Sequence, residues 1–233
     1  MMVKIVSWNI FGGRDLPGVI RALKSIDADV IGLQEVLAEE DGSGNGAQAV
    51  AEALGYEWFY EPAHVLDPAT SYVLKELGIG RPMGWGNAIV SRYPMTDKRV
   101  HVLSEERKRI ALEATIDVGG EKLHVFSTHL VHGGAPTARV RLAQAEHLLA
   151  AVPPSRAIVM GDFNATPESE VIRKMSEVMQ HADEDLSRHT RVVHRERLDY
   201  IFTTRDIQSV ETGVVDSDAS DHLPIYAIVE LPS

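Results

Sequence analysis

The 233-residue chain contains no cysteine, which excludes a disulfide framework, a thiolate zinc site and a cysteine nucleophile. Any bound metal must then be held by oxygen or imidazole ligands. The chain also lacks an apolar run of membrane-spanning length. Positive charge is in deficit: 23 Lys and Arg stand against 34 Asp and Glu, a formal net charge of −11. Long-range attraction to nucleic acid or anionic lipid is not helped by such a balance, although bound cations and a local basic patch can reverse the field at one site. The opening Met1-Met2-Val3-Lys4-Ile5-Val6-Ser7-Trp8-Asn9 has too short an apolar stretch for a signal peptide and no small-residue cleavage site, so a soluble cytoplasmic protein without membrane insertion is expected. No internal repeat, low-complexity tract or linker divides the sequence, and a single domain over residues 1–233, acting as a monomer, is expected.

What is present is ordinary globular material, 44% hydrophobic and 24% charged. Val3 to Trp8 reads as a buried strand and Leu16 to Ile26 as a helix, with Asp15 as its cap and Pro17 in its first turn. Val30 to Leu33 gives a second strand, 41–46 a loop and Ala47 to Leu54 another helix, an opening that suggests α/β layering. Ile110, Leu112, Ala114 and Ile116 alternate with Ala111, Glu113 and Thr115, the period of a half-buried strand, and Gly119-Gly120 marks a hairpin into Lys122 to Thr128. A helix is predicted from about Thr137 to Ala151, and strands over Arg156 to Met160, Leu198 to Thr203, Ile207 to Val215 and Leu223 to Leu231. Glu61 to Gly86 is the least regular stretch and is expected to be a long loop, of the kind that is either functional or a surface insertion.

Several polar residues fall where predicted strands begin or end: Asn9, Glu35, His129, Asp162, Asn164, Asp199, Asp221 and His222. Strand ends in layered α/β domains converge on a rim, so these residues can meet in space. Carboxylates, amides and imidazoles gathered in one cleft are costly unless they bind ions, and their oxygens suit hard cations such as Mg²⁺ or Mn²⁺. Singly, each has a plainer reading: Asp and Asn cap turns, and most histidines are packed or solvated.

Taken in order, Ser7-Trp8-Asn9, Leu33-Gln34-Glu35, Thr128-His129-Leu130, Gly161-Asp162-Phe163-Asn164, Leu198-Asp199-Tyr200-Ile201 and Ser220-Asp221-His222-Leu223-Pro224-Ile225 resemble the successive signatures of the endonuclease/exonuclease/phosphatase superfamily, as does Gly86-Asn87-Ala88-Ile89-Val90-Ser91-Arg92-Tyr93-Pro94. The resemblance implies a four-layer α/β sandwich, two facing mixed β-sheets flanked by helices, with the site at one edge. It also implies roles. Glu35 would be the main ligand of Mg²⁺ or Mn²⁺, assisted by Asn9 and Asp221. Asp162 would position or deprotonate the attacking water, and Asn164 would hold the phosphate oxygens or that water. His222, oriented by Asp199, would contact the scissile phosphate, and His129 would stabilise the phosphate or serve the leaving group. Such a division suits the chemistry, because an anionic ester must be neutralised before water attacks it, and an Asp–His pair fixes an imidazole's tautomer and raises its basicity.

Asn87 and the basic residues Arg139, Arg195 and Arg197 are further candidates for gripping the substrate, within a wider set that includes Arg109, Arg141, Arg188, His189, Arg191 and His194. The expected partner is a phosphate-ester substrate, with nucleic acid among the candidates, and a phosphodiester is favoured over a monoester. A phosphomonoesterase of the same superfamily and a non-catalytic phospholigand-binding member are the alternatives. Tyr72, Arg81, Met83 and Trp85 stand in the irregular stretch where substrate choice is expected to lie.

Overall fold

A computed structural model describes residues 1–232 apart from 106 and 184. Among these residues, twelve strands form two six-stranded sheets. The first holds β1 (Met2–Asn9), β2 (Val30–Ala38), β3 (Glu57–Leu66), β4 (Met83–Ser91), β11 (Gln208–Val214) and β12 (Ile225–Glu230), in the order β11-β12-β1-β2-β4-β3. The second holds β5 (Met95–Ser104), β6 (Arg109–Val118), β7 (Glu121–His129), β8 (Ala157–Asp162), β9 (Gln180–His181) and β10 (Asp199–Thr203), in the order β5-β6-β7-β8-β10-β9. Both are mixed, with β1 parallel to β2 and β7 parallel to β8 at their centres and antiparallel neighbours outside.

The alternation along β1 shows why the strand runs are apolar on both sides. Val3 and Ile5 enter the core between the sheets, with Leu112, Ile116, Ile158 and Met160 from the facing sheet. Val6 and Trp8 point the other way, under α1 (Leu16–Ile26) and α2 (Gly46–Leu54). On the far side, Phe126, Val159, Tyr200 and Phe202 pack under α4 (Ala135–Ala151) and α5 (Glu170–Val178). Helix, sheet, sheet, helix is the expected four-layer sandwich. Asp15 caps α1 as expected, its side chain accepting from the Gly18 amide at 3.0 Å.

Two local expectations are corrected. β6 is buried on both faces rather than half-buried: Ala111 lies in the helix-side core, and Glu113 is covered by His101 at 2.7 Å and His124 at 3.3 Å. The stretch from Glu61 to Gly86 is not a loop; it contains the second half of β3, the short helix α3 (Tyr72–Glu76) and the start of β4. β3 is an edge strand whose register shifts between Pro62 and His64, which is how a strand tolerates a proline that cannot donate to the ladder.

In each central parallel pair the carboxyl ends reach the same edge, so Asn9 and Gln34 are register partners in one sheet, and His129 and Asp162 in the other. Asp199 stands opposite Asp162 from the antiparallel side. Gly161 makes this crowding possible: at φ +154° it brings its Cα so close to β7 that an added Cβ would lie 2.0 Å from the Thr128 carbonyl oxygen. Gly161→Ala is therefore expected to cost about 3 kcal/mol or more and to lower the melting temperature by roughly 6 °C or more. An unchanged thermal melt would contradict that close approach.

Candidate active site

Glu35 sits in the left-handed backbone region, φ +58°, where the pairing of β2 with β4 slips between Leu33 and Val36. A bulge of this kind re-aims a side chain out of the strand's alternation. The carboxylate thereby turns towards the second sheet, where its Oε1 lies 3.8 Å from His129 Nε2. His129 Nε2 is in turn 3.6 Å from Asp162 Oδ2. Asn9 connects the two sheets: its Nδ2 donates to Asp162 Oδ2 at 3.1 Å, and its Oδ1 accepts from the Phe11 amide at 3.1 Å. Asn9 also donates to Glu35, which lowers that carboxyl's proton affinity.

Asp199 and His222 complete the constellation. His222 Nδ1 and Asp199 Oδ2 are 2.8 Å apart, and His222 Nε2 lies 3.8 Å from Asp162 Oδ2. The Trp8 indole donates to the His222 carbonyl at 2.8 Å, which fixes the backbone beneath the imidazole. Thr190 Oγ1 accepts from the Leu198 and Asp199 amides and anchors the start of β10. Asn164, itself at φ +49°, is folded back on the site: its amide N–H donates to Asp162 Oδ1 at 2.8 Å, and its Nδ2 reaches His129 Nε2 at 2.9 Å and the Leu130 carbonyl at 3.0 Å. An Nδ2 donor makes His129 Nε2 the acceptor, leaving the proton of the neutral ring on Nδ1.

Burial and crowding set the protonation of these groups. Glu35 is pushed up to about 7 by burial, with Asp162 and Asp221 adding to the rise and Asn9 and His222 opposing it. Burial and the neighbouring Asp199 push Asp162 up to about 6. Burial works against a charged His222, but Asp199 and Asp162 hold its proton and raise it to about 10. His129 goes the other way: burial, then the charges of Arg109 and His222, hold it well below the ordinary histidine range. At neutral pH the site thus contains one imidazolium, one neutral imidazole and two reluctant carboxylates.

The donor set suits a cation. Glu35, His129 and Asp162 each offer a ligand atom within 4.8 Å of one another, whereas His222, kept protonated beside Asp162 and Asp199, offers none. Asp199 Oδ1 is buried with no hydrogen-bond partner, and Glu35 and Asp162 are raised by burial first and by neighbouring carboxylates second, a setting that a bound cation would relieve.

These groups open into a cleft of about 380 Å³ whose lining includes Glu35, His129, Asp162, Asn164, Asp221 and His222. The rest of the lining is mixed: Phe11, Tyr72, Val73, Trp85 and Val193 are apolar, and Arg109, His132, Arg191 and His194 carry basic side chains. Asn9 and Asp199 lie directly behind the lining, bonded to it. The other predicted substrate residues are placed elsewhere. Arg197 is buried on the Asp199 and Arg188 carbonyls and on Asp183, so its donors are already committed inside the protein. Arg139 and Arg195 are exposed and outside the lining, and buried Asn87 donates to the Ile110 carbonyl. Phe11, Val73, His132 and Val193 were not foreseeable: none sits in a motif, and only the tertiary fold brings them to the cleft.

The described residues include no helix long and apolar enough to cross a membrane. The model of the Endonuclease/Exonuclease/phosphatase family matches residues 6–222, nearly the whole chain. The chain belongs to that family. It is accordingly a member of a superfamily of phosphoester hydrolases. No protein of curated function matches the sequence. Among solved structures, an endonuclease/exonuclease/phosphatase from Beutenbergia cavernae aligns with TM-score 0.80 at 22% identity, covering 100% of this chain and 72% of that one. The human Nocturnin catalytic domain with bound sulfate aligns with TM-score 0.77 at 20% identity, covering 98% and 93%. A mannosyl-6-phosphatase from Bacteroides thetaiotaomicron aligns with TM-score 0.76 at 18% identity, covering 98% and 100%. At such identities the likeness is one of fold.

Proposed function

We propose that this family member is a divalent-metal-dependent hydrolase of phosphate esters in which water attacks phosphorus directly. The observation that carries the reading is one cleft lined by Asp162, Glu35 and His222, in which two carboxyls of raised proton affinity stand beside an imidazolium. Glu35, Asp221 and Asn9 would hold the cation, Mg²⁺ or Mn²⁺, which supplies charge to the phosphate and to the departing oxygen. Asp162, titrating near neutrality, accepts the proton of the attacking water. The Asn164 amide orients that water or a phosphate oxygen, and the neutral His129 holds Asn164 in place by accepting its Nδ2. His222, kept protonated and oriented by Asp199, donates to a phosphoryl oxygen.

A phosphodiester is the preferred substrate, because the lining has apolar as well as basic side chains beside the acidic centre, enough to meet two different ester substituents. The test is a hydrolysis panel of bis-p-nitrophenyl phosphate, p-nitrophenyl phosphate, single-stranded DNA and RNA, run with Asp162→Ala as the blank. Diester hydrolysis that disappears in EDTA, returns with Mg²⁺ or Mn²⁺ and is absent from the variant is the expected result. Activity that survives the chelator removes the metal from the mechanism, and turnover of monoesters alone makes the protein a phosphatase.

A further inference from the structure

Two arginines in the cleft have no ordinary structural employment. The side chain of Arg109, half-buried at the start of β6, makes no hydrogen bond or ion pair among the described residues; it feels the charges of Glu35 and Asp162, but its Nε is buried without a partner. Arg191 also has a buried, partnerless Nε, and its one ion pair, to Glu196, is at 4.0 Å, the outer limit of such a contact. Other buried arginines of this chain behave differently: Arg141 donates to the Val131 and Gly133 carbonyls, and Arg197 to Asp199, Arg188 and Asp183. Partners are not scarce, since 34 acidic residues face 23 basic ones. The two under-partnered guanidinium groups also act on one neighbour. His132 is an exposed residue, yet partial desolvation and then Arg191, Arg141 and Arg109 disfavour it as a cation, so positive charge is gathered around it. Like charges crowded in a partly buried place are unfavourable unless an anion joins them.

Resting on the phosphoesterase reading, we infer that Arg109, Arg191 and His132 form a receptor for a second anionic group of the substrate, so that the substrate is a compact phosphate ester carrying a further phosphate or carboxylate. The scissile phosphate does not need this receptor, because His222 and Asn164 already face it. A guanidinium fork is suited to an oxyanion, and a neutral imidazole adds one N–H donor. Compactness follows from the cleft: about 380 Å³ is the size of a small-molecule site. Its lining includes Tyr72, 69% exposed, and Phe11, with ring centroids 6.5 Å apart, a surface for a flat or apolar part of the same ligand. A long polynucleotide would need a basic track beyond the cleft, in a chain whose net charge is −11.

The test separates recognition from turnover. Thymidine 3′,5′-bisphosphate and thymidine 5′-monophosphate are titrated into the protein in EDTA by calorimetry. The bisphosphate is expected to bind about tenfold or more tightly, and Arg109→Ala and Arg191→Ala are each expected to collapse that ratio to about threefold or less. Arg191→Ala serves as the safeguard, since its side chain is 23% exposed and belongs to no core cluster. Equal binding of the two ligands by the wild type, or a ratio retained in the variants because both ligands weaken alike, overturns the receptor. Tighter binding of a thymidine oligonucleotide than of the bisphosphate replaces the compact substrate with nucleic acid. Thymidine 5′-(p-nitrophenyl phosphate), with and without a 3′-phosphate, is assayed in parallel with Mg²⁺. Failure to hydrolyse either ester removes the phosphoesterase reading, whereas the binding ratio decides the receptor independently.

Discussion

His222→Ala is expected to lower turnover of a diester substrate by roughly two to four orders of magnitude with the fold intact. His222 is not one imidazole among several. Its Nδ1 is fixed by Asp199 at 2.8 Å, and its Nε2 is presented 3.8 Å from the Asp162 carboxylate. Burial penalises its charge, but the two aspartates more than offset this and raise it to about 10. It is therefore an imidazolium throughout the physiological range, a donor and a positive charge rather than a base. The pH profile carries this distinction. In the wild type, loss of the His222 proton leaves activity undisturbed below about pH 9 and adds a falling limb only as pH approaches about 10. Asp199→Asn removes the leading source of that stabilisation, so the falling limb should move down towards neutrality. A loss of less than tenfold in His222→Ala, or an alkaline limb indifferent to Asp199→Asn, would sink the role assigned to this pair.

The distribution of what could be read from sequence has physical causes. α1 was legible to the residue because its cap, its proline and its periodicity agree. β5 left no comparable trace: it is an edge strand, exposed over most of its length, and partial exposure erases the alternation that betrays a strand. α5 was overlooked despite its Ser169 cap and the Glu170 in its first turn. The stretch from 61 to 86 read as a loop because Pro62 and its glycines mask an edge hairpin. In the site, Asn9, Glu35, His129, Asp162, Asn164, Asp199, Asp221 and His222 were legible as a set because each lies at or beside a strand end or bulge, inside a short ordered motif. The structure brings them together around one cleft. The arginines were not legible in that way. A guanidinium is recognised by what it lacks or holds in three dimensions, so Arg197, committed to internal acceptors, and Arg109, left without any, look alike in one dimension.

Glu35→Gln is expected to make the metal-free protein more stable at pH 7.5 while abolishing its response to Mg²⁺. In the fold, Glu35 is held in a left-handed conformation at a bulge with its side chain only 16% exposed, facing Asp162 and Asp221. Its proton affinity rises from 4.5 to about 7, with burial as the largest cause. A carboxyl raised in the folded state stabilises the fold below its unfolded value and loses that contribution as pH climbs through the folded one. Chelated wild-type protein should thus melt progressively lower between pH 5 and about pH 7.5, by on the order of 2 kcal/mol after allowance for its coupling to Asp162. His222 does not cancel this trend: its value is also raised, so its contribution, complete below the ordinary 6.5, declines in the same direction as pH climbs towards 10. The uncharged amide removes the burden, and the variant's melting temperature in EDTA at pH 7.5 should rise by roughly 4–8 °C, with a flatter dependence on pH. Added Mg²⁺ should raise the wild-type melting temperature and leave that of the variant unmoved. A destabilised variant in EDTA would mean that the bulge needs the carboxylate for its own hydrogen bonding, and an undiminished Mg²⁺ shift would place the principal ligand elsewhere. The expected pair of results, stability gained and cation response lost, is the signature of a residue whose conformation and burial are maintained for binding rather than for folding.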